Sequence, residues 1–395
     1  MANDSTQVSA PLFVGMDVHQ ETVALAVAAG DGSEPRFLGS VPNTPQKLRK
    51  RLLAIGPIDQ LRCCYEAGPT GYSTWRLLND WGIACTVVAP SLIPKKPGDR
   101  IKTDRRDAEQ LARLHRMGDL TAVWVPTPAH EALRDLCRAR EAAKRDLGRA
   151  RHRRLKLLAR HGQHGPIGTG RWTRAYRAWL RELRLEHPDH QYVLEEHRQQ
   201  FAEAEARLAR VTARVKTTVQ EGPFTALLQA LQCLKGVGPI TAVTWVAELG
   251  DLTRFRRPRM LMGYSGLTPT EYSSGGRVQR GHITKCGNSH VRFVTIESAW
   301  HARWAQQPVS RALRKRREGQ PQAIVHIAER AQKRTGQRYR ALLKRGKTSG
   351  QAATAVAREL LGFVWAIGQV VAQTAAAAGT PAPSATVDSE TAAAA

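Results

Sequence analysis

Four carboxylate side chains in the N-terminal part of the chain have the spacing of a divalent metal site. Asp17 and Glu66 each lie near the end of an apolar stretch, and Asp104 and Asp107 stand at i and i+3 in the segment TDRRDAEQLARL. On a helix these two aspartates would share one face. Grouped carboxylates repel one another unless a cation screens them, and Mg²⁺ prefers oxygen ligands. Each acid taken singly is better explained as a strand-end or helix-end charge, but together they predict a site where two Mg²⁺ ions act on a phosphodiester.

A cluster of hydroxyl groups between residues 254 and 292 could supply a nucleophile. This segment, RFRRPRMLMGYSGLTPTEYSSGGRVQRGHITKCGNSHVR, contains one acid, Glu271, among glycines and cations. Its hydroxyl residues are Ser265, Thr268, Thr270, Tyr272, Ser273 and Ser274. A serine on a glycine-flanked loop beside arginines is what attack on a DNA phosphate requires. Composition alone favours the simpler alternative, a phosphate-binding loop. Arg277, Arg280 and Lys285 are the predicted phosphate neighbours in this segment.

A glycine-rich turn at Gly236-Val237-Gly238 lies between two apolar stretches in CLKGVGPITAVTWV. Backbone N–H groups at the start of a helix can bind a phosphate without reading the base. The adjacent Lys235 favours this phosphate-binding interpretation over a plain tight turn.

Positive charge is the most unusual property of the composition. The 395 residues include 60 Lys+Arg and 34 Asp+Glu, which leaves a net charge of +26 and a pI of about 10.7. The whole surplus lies in residues 134–160, 254–292 and 311–347, which carry +8, +7 and +11. Solvated helix faces usually interleave both signs, so these segments indicate a nucleic-acid partner. Four further cations flank the aspartate pair: Arg100, Lys102, Arg105 and Arg106.

Several other protein classes are excluded by the sequence pattern. There is no uninterrupted apolar run of about 18 residues, so we expect no membrane span. The N-terminus lacks a basic region followed by an apolar stretch, so secretion is not expected. The 6 cysteines form no C-x-x-C pair, which argues against a zinc site or a disulfide framework. These features predict a reduced, cytoplasmic protein.

The elements that must position the acids alternate in a recognisable order. Apolar, Val- and Ala-rich stretches predict strands at residues 12–18, 22–29, 36–41, 61–67 and 83–89. Helices are predicted at 45–54, 72–81 and 103–117, the first because Thr44 suits an N-cap and Pro45 the first helical position. The order βββαβαβα predicts a ribonuclease-H-like (RuvC-like) α/β domain, in which the first strand is central and pairs with the fourth.

The middle of the chain predicts long helices. Residues 131–160 form an Arg-rich helix, and glycines between 162 and 170 end it. A seven-residue spacing, the pattern of a coiled-coil seam, follows at Leu194, Phe201, Leu208 and Val215. An antiparallel hairpin within one chain and a dimer interface both fit this seam, and we favour the dimer slightly.

These blocks together resemble the DEDD-type insertion-sequence transposases, which are bridge-RNA-guided serine recombinases of bacterial mobile elements. The resemblance spans nearly the whole chain, through GMDVHQETVALAV, YEAGPTGY, KTDRRDAEQLARL, LKGVGPITA and YSGLTPTEYSSGGRVQRGHITKCGNSHVR. It maps the family's four acids onto Asp17, Glu66, Asp104 and Asp107. Its serine corresponds to Ser274, two residues after an aromatic and before a glycine, with Ser273 as a rival.

The resemblance implies a domain order and a mechanism. It implies a RuvC-like domain over residues 1–125, an Arg-rich helix and coiled-coil spacer over 126–222, and a mostly α-helical transposase domain with a helix-hairpin-helix element over 223–374. A disordered tail over 375–395 is read from low complexity. The implied reaction is covalent attack of Ser274 on DNA, assisted by Mg²⁺ at the acidic cluster, with the two domains meeting between protomers.

The implied partners are donor DNA, target DNA, a noncoding bridge RNA and further copies of the chain, as a dimer or a tetramer, in the bacterial cytoplasm. Two alternatives remain open at this point. One is a metal-dependent junction nuclease that cleaves DNA with water, and the other is a non-catalytic nucleic-acid-binding protein.

Overall fold

The computed structural model describes residues 10–94 and 102–379, which form two compact units. The first unit ends at Val125 and the second begins at Pro126. The last helix continues to Ala377, so residues 375–377 of the expected tail are helical. Residues 380–395 lie outside the described residues.

A five-stranded mixed sheet forms the centre of the first unit. Its strands are β1 (Leu12–Val18), β2 (Thr22–Ala29), β3 (Arg36–Pro42), β4 (Leu61–Glu66) and β5 (Ala84–Val88). They lie in the order β3-β2-β1-β4-β5, with β1 antiparallel to β2 and parallel to β4. The expectation that the first strand is central and pairs with the fourth is confirmed.

Three helices cover the two faces of this sheet. They are α1 (Pro45–Leu53), α2 (Ser73–Asp80) and α3 (Asp104–Met117). One face of the sheet packs its apolar side chains, such as Met16 and Tyr65, against Leu48 of α1 and Leu78 of α2. The other face receives α3, where Ala26 and Ala28 pack against Ala108 and Ala112 with Phe13 and Phe37 beside them. The predicted order βββαβαβα is therefore confirmed.

Small side chains allow α3 to lie very close to β1. A Cβ atom on Gly15 would come within 2.2 Å of the Ala108 carbonyl oxygen and 2.4 Å of the Ala112 amide nitrogen. Ala26 and Ala28 of β2 complete the same packing layer. This close approach fixes the start of α3 next to the end of β1.

The second unit begins with an antiparallel helical hairpin. Its long helices are α4 (Pro128–Arg160) and α6 (Pro188–Gln220), with the short α5 (Arg174–Glu182) between them. Leu158 packs near Leu194 at one end of the pair, and Leu133 packs near Val215 at the other. The heptad residues Leu194, Phe201 and Val215 are buried. The slight preference for a dimer at this seam is corrected, because α4 of the same chain occupies it.

The remaining helices pack around one apolar core. They are α7 (Thr225–Leu231), α8 (Pro239–Leu249), α9 (Pro258–Tyr264), α10 (Ser289–Ala299), α11 (Arg311–Arg317), α12 (Gln322–Lys344) and α13 (Ser349–Ala377). A two-stranded hairpin, β6 (Pro269–Glu271) and β7 (Arg280–Ile283), separates α9 from α10. Trp245 is fully buried in the core and donates its Nε1–H to the Thr295 hydroxyl at 2.9 Å.

Helix α13 modifies the expectation about membrane spans. Within the described ranges it is long and apolar enough to cross a membrane by length and composition. In the structure, several of its apolar residues, among them Val356, Leu361 and Val364, are buried in the core of the second unit, and others such as Phe363 and Trp365 are partly buried against it. Length and apolar composition of this kind are also those of a helix in the core of a helical domain.

Candidate functional site

The sheet directs two of the predicted acids to one face. Strands β1 and β4 are parallel, with Gly15 opposite Cys64 and Met16 opposite Tyr65, so the next pair along the ladder is Asp17 and Glu66. Side chains alternate between the faces of a strand. Asp17 and Glu66 therefore point to the face that carries α3, as Cys64 does, whose Sγ lies 3.6 Å from the Leu111 carbonyl oxygen.

Helix α3 brings the other two acids to the same edge. Its N-cap is Thr103, whose hydroxyl accepts a hydrogen bond from the Arg106 N–H. Asp104 and Asp107 occupy the first turn, where the helix dipole favours negative charge. Asp107 precedes Ala108, which packs against Gly15, so the packed face of the helix carries acids at its N-terminal end.

Three ligand-bearing side chains converge there. One ligand atom each of Asp17, His19 and Asp104 lies within 4.8 Å of the others. His19 Nε2 is 3.3 Å from Asp17 Oδ2 and 3.7 Å from Asp104 Oδ1. Asp107 lies 3.6 Å, through its Oδ2, from the Lys102 Nζ.

The electrostatics of Asp17 reflect this crowding. Partial burial is the main cause that raises the pKa of Asp17, and the His19 imidazole opposes the shift. The carboxylates of Asp104 and Asp107 raise that pKa further, because like charges nearby disfavour ionisation. Gathered carboxylates of this kind suit a divalent cation, which would relieve their repulsion.

The group of three differs from the predicted set of four acids, because it includes His19 and leaves out Glu66 and Asp107. Glu66 is exposed at the end of β4, adjacent to Asp17 by register, but no direct contact with the other three acids is present among the described residues. His19 was not predicted as a ligand. The sequence feature that could have identified His19 is its i, i+2 spacing from Asp17, which places both side chains on the same side of an extended chain. Of the flanking cations, Arg105 pairs with Glu109 at 3.0 Å, and Arg100 lies outside the described residues.

The serine segment of the second unit forms the tip of the β6–β7 hairpin. Ser274 and Arg277 exchange two backbone hydrogen bonds, at 3.2 and 3.0 Å, around Gly275 and Gly276. Both glycines have positive φ, at 55° and 84°, which a two-residue hairpin turn of this type requires. The GG dipeptide therefore places Ser274 and Arg277 directly opposite each other at an exposed tip.

The two candidate serines lie on opposite faces of this hairpin. Ser273 donates its hydroxyl to Glu271 Oε1 at 2.9 Å, and Glu271 also accepts from Arg280 Nε at 3.2 Å. Ser274 alternates to the other face, with Arg277. Among the residues that the structure describes, no hydrogen bond engages the Ser274 hydroxyl.

The base of the hairpin is fixed by tight backbone packing. A Cβ on Gly266 would lie 2.0 Å from the Cys286 carbonyl oxygen, and one on Gly287 would lie 2.0 Å from that of Tyr264. Lys285 has a positive φ of 56° and donates its backbone N–H to Gly266. Of the three predicted phosphate neighbours, Arg280 is thus paired with Glu271, Lys285 lies at the base, and Arg277 faces Ser274.

The buried carboxylate of Glu248 binds a residue that follows the hairpin, and it was not predicted from the sequence. Glu248 of α8 accepts hydrogen bonds from Arg138 Nε at 3.1 Å and from Asn288 Nδ2 at 2.7 Å. Asn288 is the N-cap of α10, immediately after the hairpin segment. A lone Glu in an apolar stretch gives no signal of this role, because its partners come from distant parts of the chain.

The glycine turn between α7 and α8 has a different environment from the one predicted. Lys235 donates its ammonium to the carbonyl oxygens of Trp304, at 2.5 Å, and Gln307, at 3.2 Å. A Cβ on Gly236 would lie 2.6 Å from the Ser298 carbonyl oxygen. Both residues therefore hold the 298–307 segment in place. Gly238 is the N-cap of α8.

Two family models match this chain. Residues 14–162 match the DEDD transposase model of the IS110 group, and residues 228–315 match the model described as transposase IS116/IS110/IS902 family. The first match contains Asp17, Glu66, Asp104 and Asp107, and the second contains Ser274.

Two relatives resemble the chain over most of its length. "Putative transposase y4qE" of Sinorhizobium fredii is 44% identical over 364 residues, covering 92% of this chain and 90% of the relative. "Transposase for insertion sequence element IS1533" of Leptospira borgpetersenii is 28% identical over 345 residues, covering 85% of this chain and 98% of the relative.

Proposed function

This chain belongs to the IS110/IS116 family of insertion-sequence transposases, and we propose that it cuts and rejoins DNA through Ser274 as nucleophile. The observation that carries the proposal is the hairpin geometry. Ser274 lies opposite Arg277 on the exposed tip, whereas the Ser273 hydroxyl is held by Glu271. A free hydroxyl beside a cation suits attack on a phosphodiester.

The covalent step conserves the number of phosphate ester bonds. Ser274 Oγ loses its proton and forms a bond to phosphorus, and the bond from phosphorus to one ester oxygen of the strand breaks. That oxygen takes up a proton and leaves as a strand hydroxyl, which gives a phosphoserine ester. Attack by another strand hydroxyl reverses the same exchange, so rejoining needs no external energy source.

Asp17, Asp104 and Asp107, with Glu66 and His19 next to Asp17, are the residues that would hold Mg²⁺, one or two ions. When bound there, Mg²⁺ supplies positive charge against the charge that develops on phosphate oxygens. The crowding of carboxylates around Asp17 supports this assignment. The small residues at Gly15 and Ala108 hold the acids in register.

The proposed fold of the chain and the proposed partners of the reaction are those that the family resemblance implies. We propose a ribonuclease-H-like, RuvC-like fold for residues 10–125, supported by its strand order, and a helix-hairpin-helix role for α7 and α8. Phosphate contacts by Arg277, Arg280, Lys285 and the Gly236–Gly238 turn remain part of the proposal. So do donor and target DNA, a bridge RNA, a homo-oligomer and action in the bacterial cytoplasm, which the positive segments and the family resemblance support.

A denaturing gel tests the nucleophile. The intact chain, S274A and S273A are each incubated with labelled DNA carrying the ends of the element, with the RNA that copurifies and Mg²⁺. We expect a DNA–protein adduct with the intact chain and with S273A, and none with S274A. Adducts that persist in S274A would overturn the assignment. Sequencing of the copurified RNA tests the guide, since a single defined transcript supports it and random fragments oppose it.

The second candidate is a metal-dependent nuclease that cleaves DNA with water. The acidic cluster favours it, because such a site can act without any serine. Cleavage without an adduct, retained in S274A and lost in D104N, would establish this alternative.

A further inference from the structure

A cleft lies in the second unit, away from the serine hairpin in the sequence and outside every site described above. Its volume is about 320 Å³, at the lower end of the range of small-molecule sites, which is roughly 300–1,000 Å³. It lies between α12 and the segment that follows α10. The lining residues are Ala305, Gln306, Val309, Arg317, Glu329, Gln332, Lys333, Gln337 and Arg340.

Close packing creates this cleft. A Cβ on Gly336 of α12 would lie 2.3 Å from the Ala305 Cβ, so the helix and the 305–309 segment touch at this glycine. Gln332 donates its amide to the Ala305 carbonyl oxygen at 2.8 Å and fixes the same wall. The wall and the helix therefore form a defined groove.

The cations of the cleft lack the partners that their neighbours have. Arg334 and Arg338, on the same helix, both pair with Glu359 of α13, at 2.8 and 3.3 Å. Lys333 and Arg340, which line the cleft, have no acidic partner within the described part of the chain. This difference leaves positive charge in the cleft that the protein itself does not neutralise.

Arg317 adds a buried cation to the same cleft. Its side chain is 9% exposed, and its closest acid is Glu329, with Nη1 and Oε1 3.9 Å apart. Its Nε donates to the Cys233 carbonyl oxygen at 3.1 Å, but its Nη2 is buried without a hydrogen-bond partner among the described residues. A buried guanidinium N–H group without an acceptor is costly, and an anion that reached the Arg317 Nη2 would relieve the cost.

The glutamine side chains of the cleft indicate which kind of anion it would bind. Gln306, Gln332 and Gln337 supply both donors and acceptors, which match the edges of a base, and Val309 supplies apolar contact. A carboxylate ligand would need donors only. We propose that this cleft binds one unstacked nucleotide of a single-stranded nucleic acid, with its phosphate on Arg317, Lys333 and Arg340 and its base edge on the glutamines. The inference does not depend on Ser274, because it concerns binding alone.

Fluorescence anisotropy with the full chain tests the phosphate contacts. The probes are labelled single-stranded DNA and RNA oligonucleotides of one sequence, titrated at several salt concentrations. For K333Q/R340Q we expect affinity to fall about tenfold and the salt slope to fall by up to about 0.7, the value for the one single-strand phosphate that the cleft would hold. The matched control R330Q/K344Q removes the same charge from α12 outside the cleft, and it should change neither by more than about half as much. Equal losses in both double variants would overturn the proposal.

An abasic oligonucleotide tests the base contact. Q337A should weaken binding of the ordinary strand and leave binding of the abasic strand unchanged, whereas equal effects on both would overturn the base assignment. Competition by polyglutamate as strong as that by the oligonucleotide would show a general anion site and also overturn it. Tighter binding of RNA than of DNA would assign the nucleotide to an RNA strand, and the reverse to a DNA strand. S274A should bind like the intact chain, so a failure of the serine assignment is distinguishable.

Discussion

Substitution of Gly15 by alanine should displace the acids of α3 without removing any of them. The new Cβ would lie 2.2 Å from the Ala108 carbonyl oxygen and 2.4 Å from the Ala112 amide nitrogen, whereas ordinary contact begins near 3.4 Å. Both obstacles are backbone atoms of one helical turn, so no side chain can rotate away. Helix α3 must therefore retreat from β1 by about 1 Å.

The cost follows from this displacement. Overpacking of a core typically costs about 1–3 kcal/mol, which corresponds to a fall of roughly 4–12 °C in the unfolding midpoint of a unit of this size. Asp104 and Asp107 would move with the helix and leave Asp17 and His19 behind. A misplacement of about 1 Å in a catalytic arrangement can cost about 100-fold in rate.

The assay combines thermal unfolding, followed by circular dichroism, with the rate of DNA strand cleavage in Mg²⁺. Gly30→Ala is the matched control, because its Cβ would have no neighbour closer than 3.5 Å. We expect G30A to resemble the intact chain in both measurements. If G15A had the same midpoint and the same cleavage rate as G30A, the packing of α3 on β1 described above would be refuted.

Two further predictions concern stability. Burial lowers the pKa of His115 to about 4. As pH falls below about 6.5 the unfolded chain takes up this proton before the folded chain does, so up to roughly 3 kcal/mol of the stability present above that pH is lost towards pH 4. H115Q should therefore flatten the pH dependence of chemical denaturation in the first unit, and an unchanged pH dependence would contradict the lowered pKa. E248A should destabilise the second unit by about 3 kcal/mol, because it removes a buried carboxylate and leaves the Asn288 amide and the mostly buried Arg134 without it. E205A, which breaks the half-exposed pair with Arg177, should cost less than about 1 kcal/mol. Similar losses in the two variants would argue against a special role of the buried acid.

Local patterns in the sequence were sufficient for the elements and for part of the site. Short apolar runs rich in Val and Ala predicted the five strands, and the i, i+3 spacing of Asp104 and Asp107 placed both acids on one face of the helix predicted at 103–117. The Gly275-Gly276 dipeptide lies at a turn that accepts few other residues. These signals can be read from the sequence alone because they depend on local backbone preference and on the residue period of each helix or strand.

Tertiary structure alone decided which groups are engaged and which are free. Glu248 gave no signal in the sequence, because its partners Arg138 and Asn288 lie 110 and 40 residues away in the chain. Lys235 was predicted as a phosphate neighbour from its position beside the glycine turn, and its ammonium donates to carbonyl oxygens about 70 residues away in the chain. The heptad seam, which suits two partners equally well, was filled by α4 because an apolar stripe binds whichever matching surface the chain connects nearest to it. Composition and period determine where an element forms, whereas the contacts of a charged or hydroxyl group depend on residues distant in sequence, so they emerge only when the chain has folded.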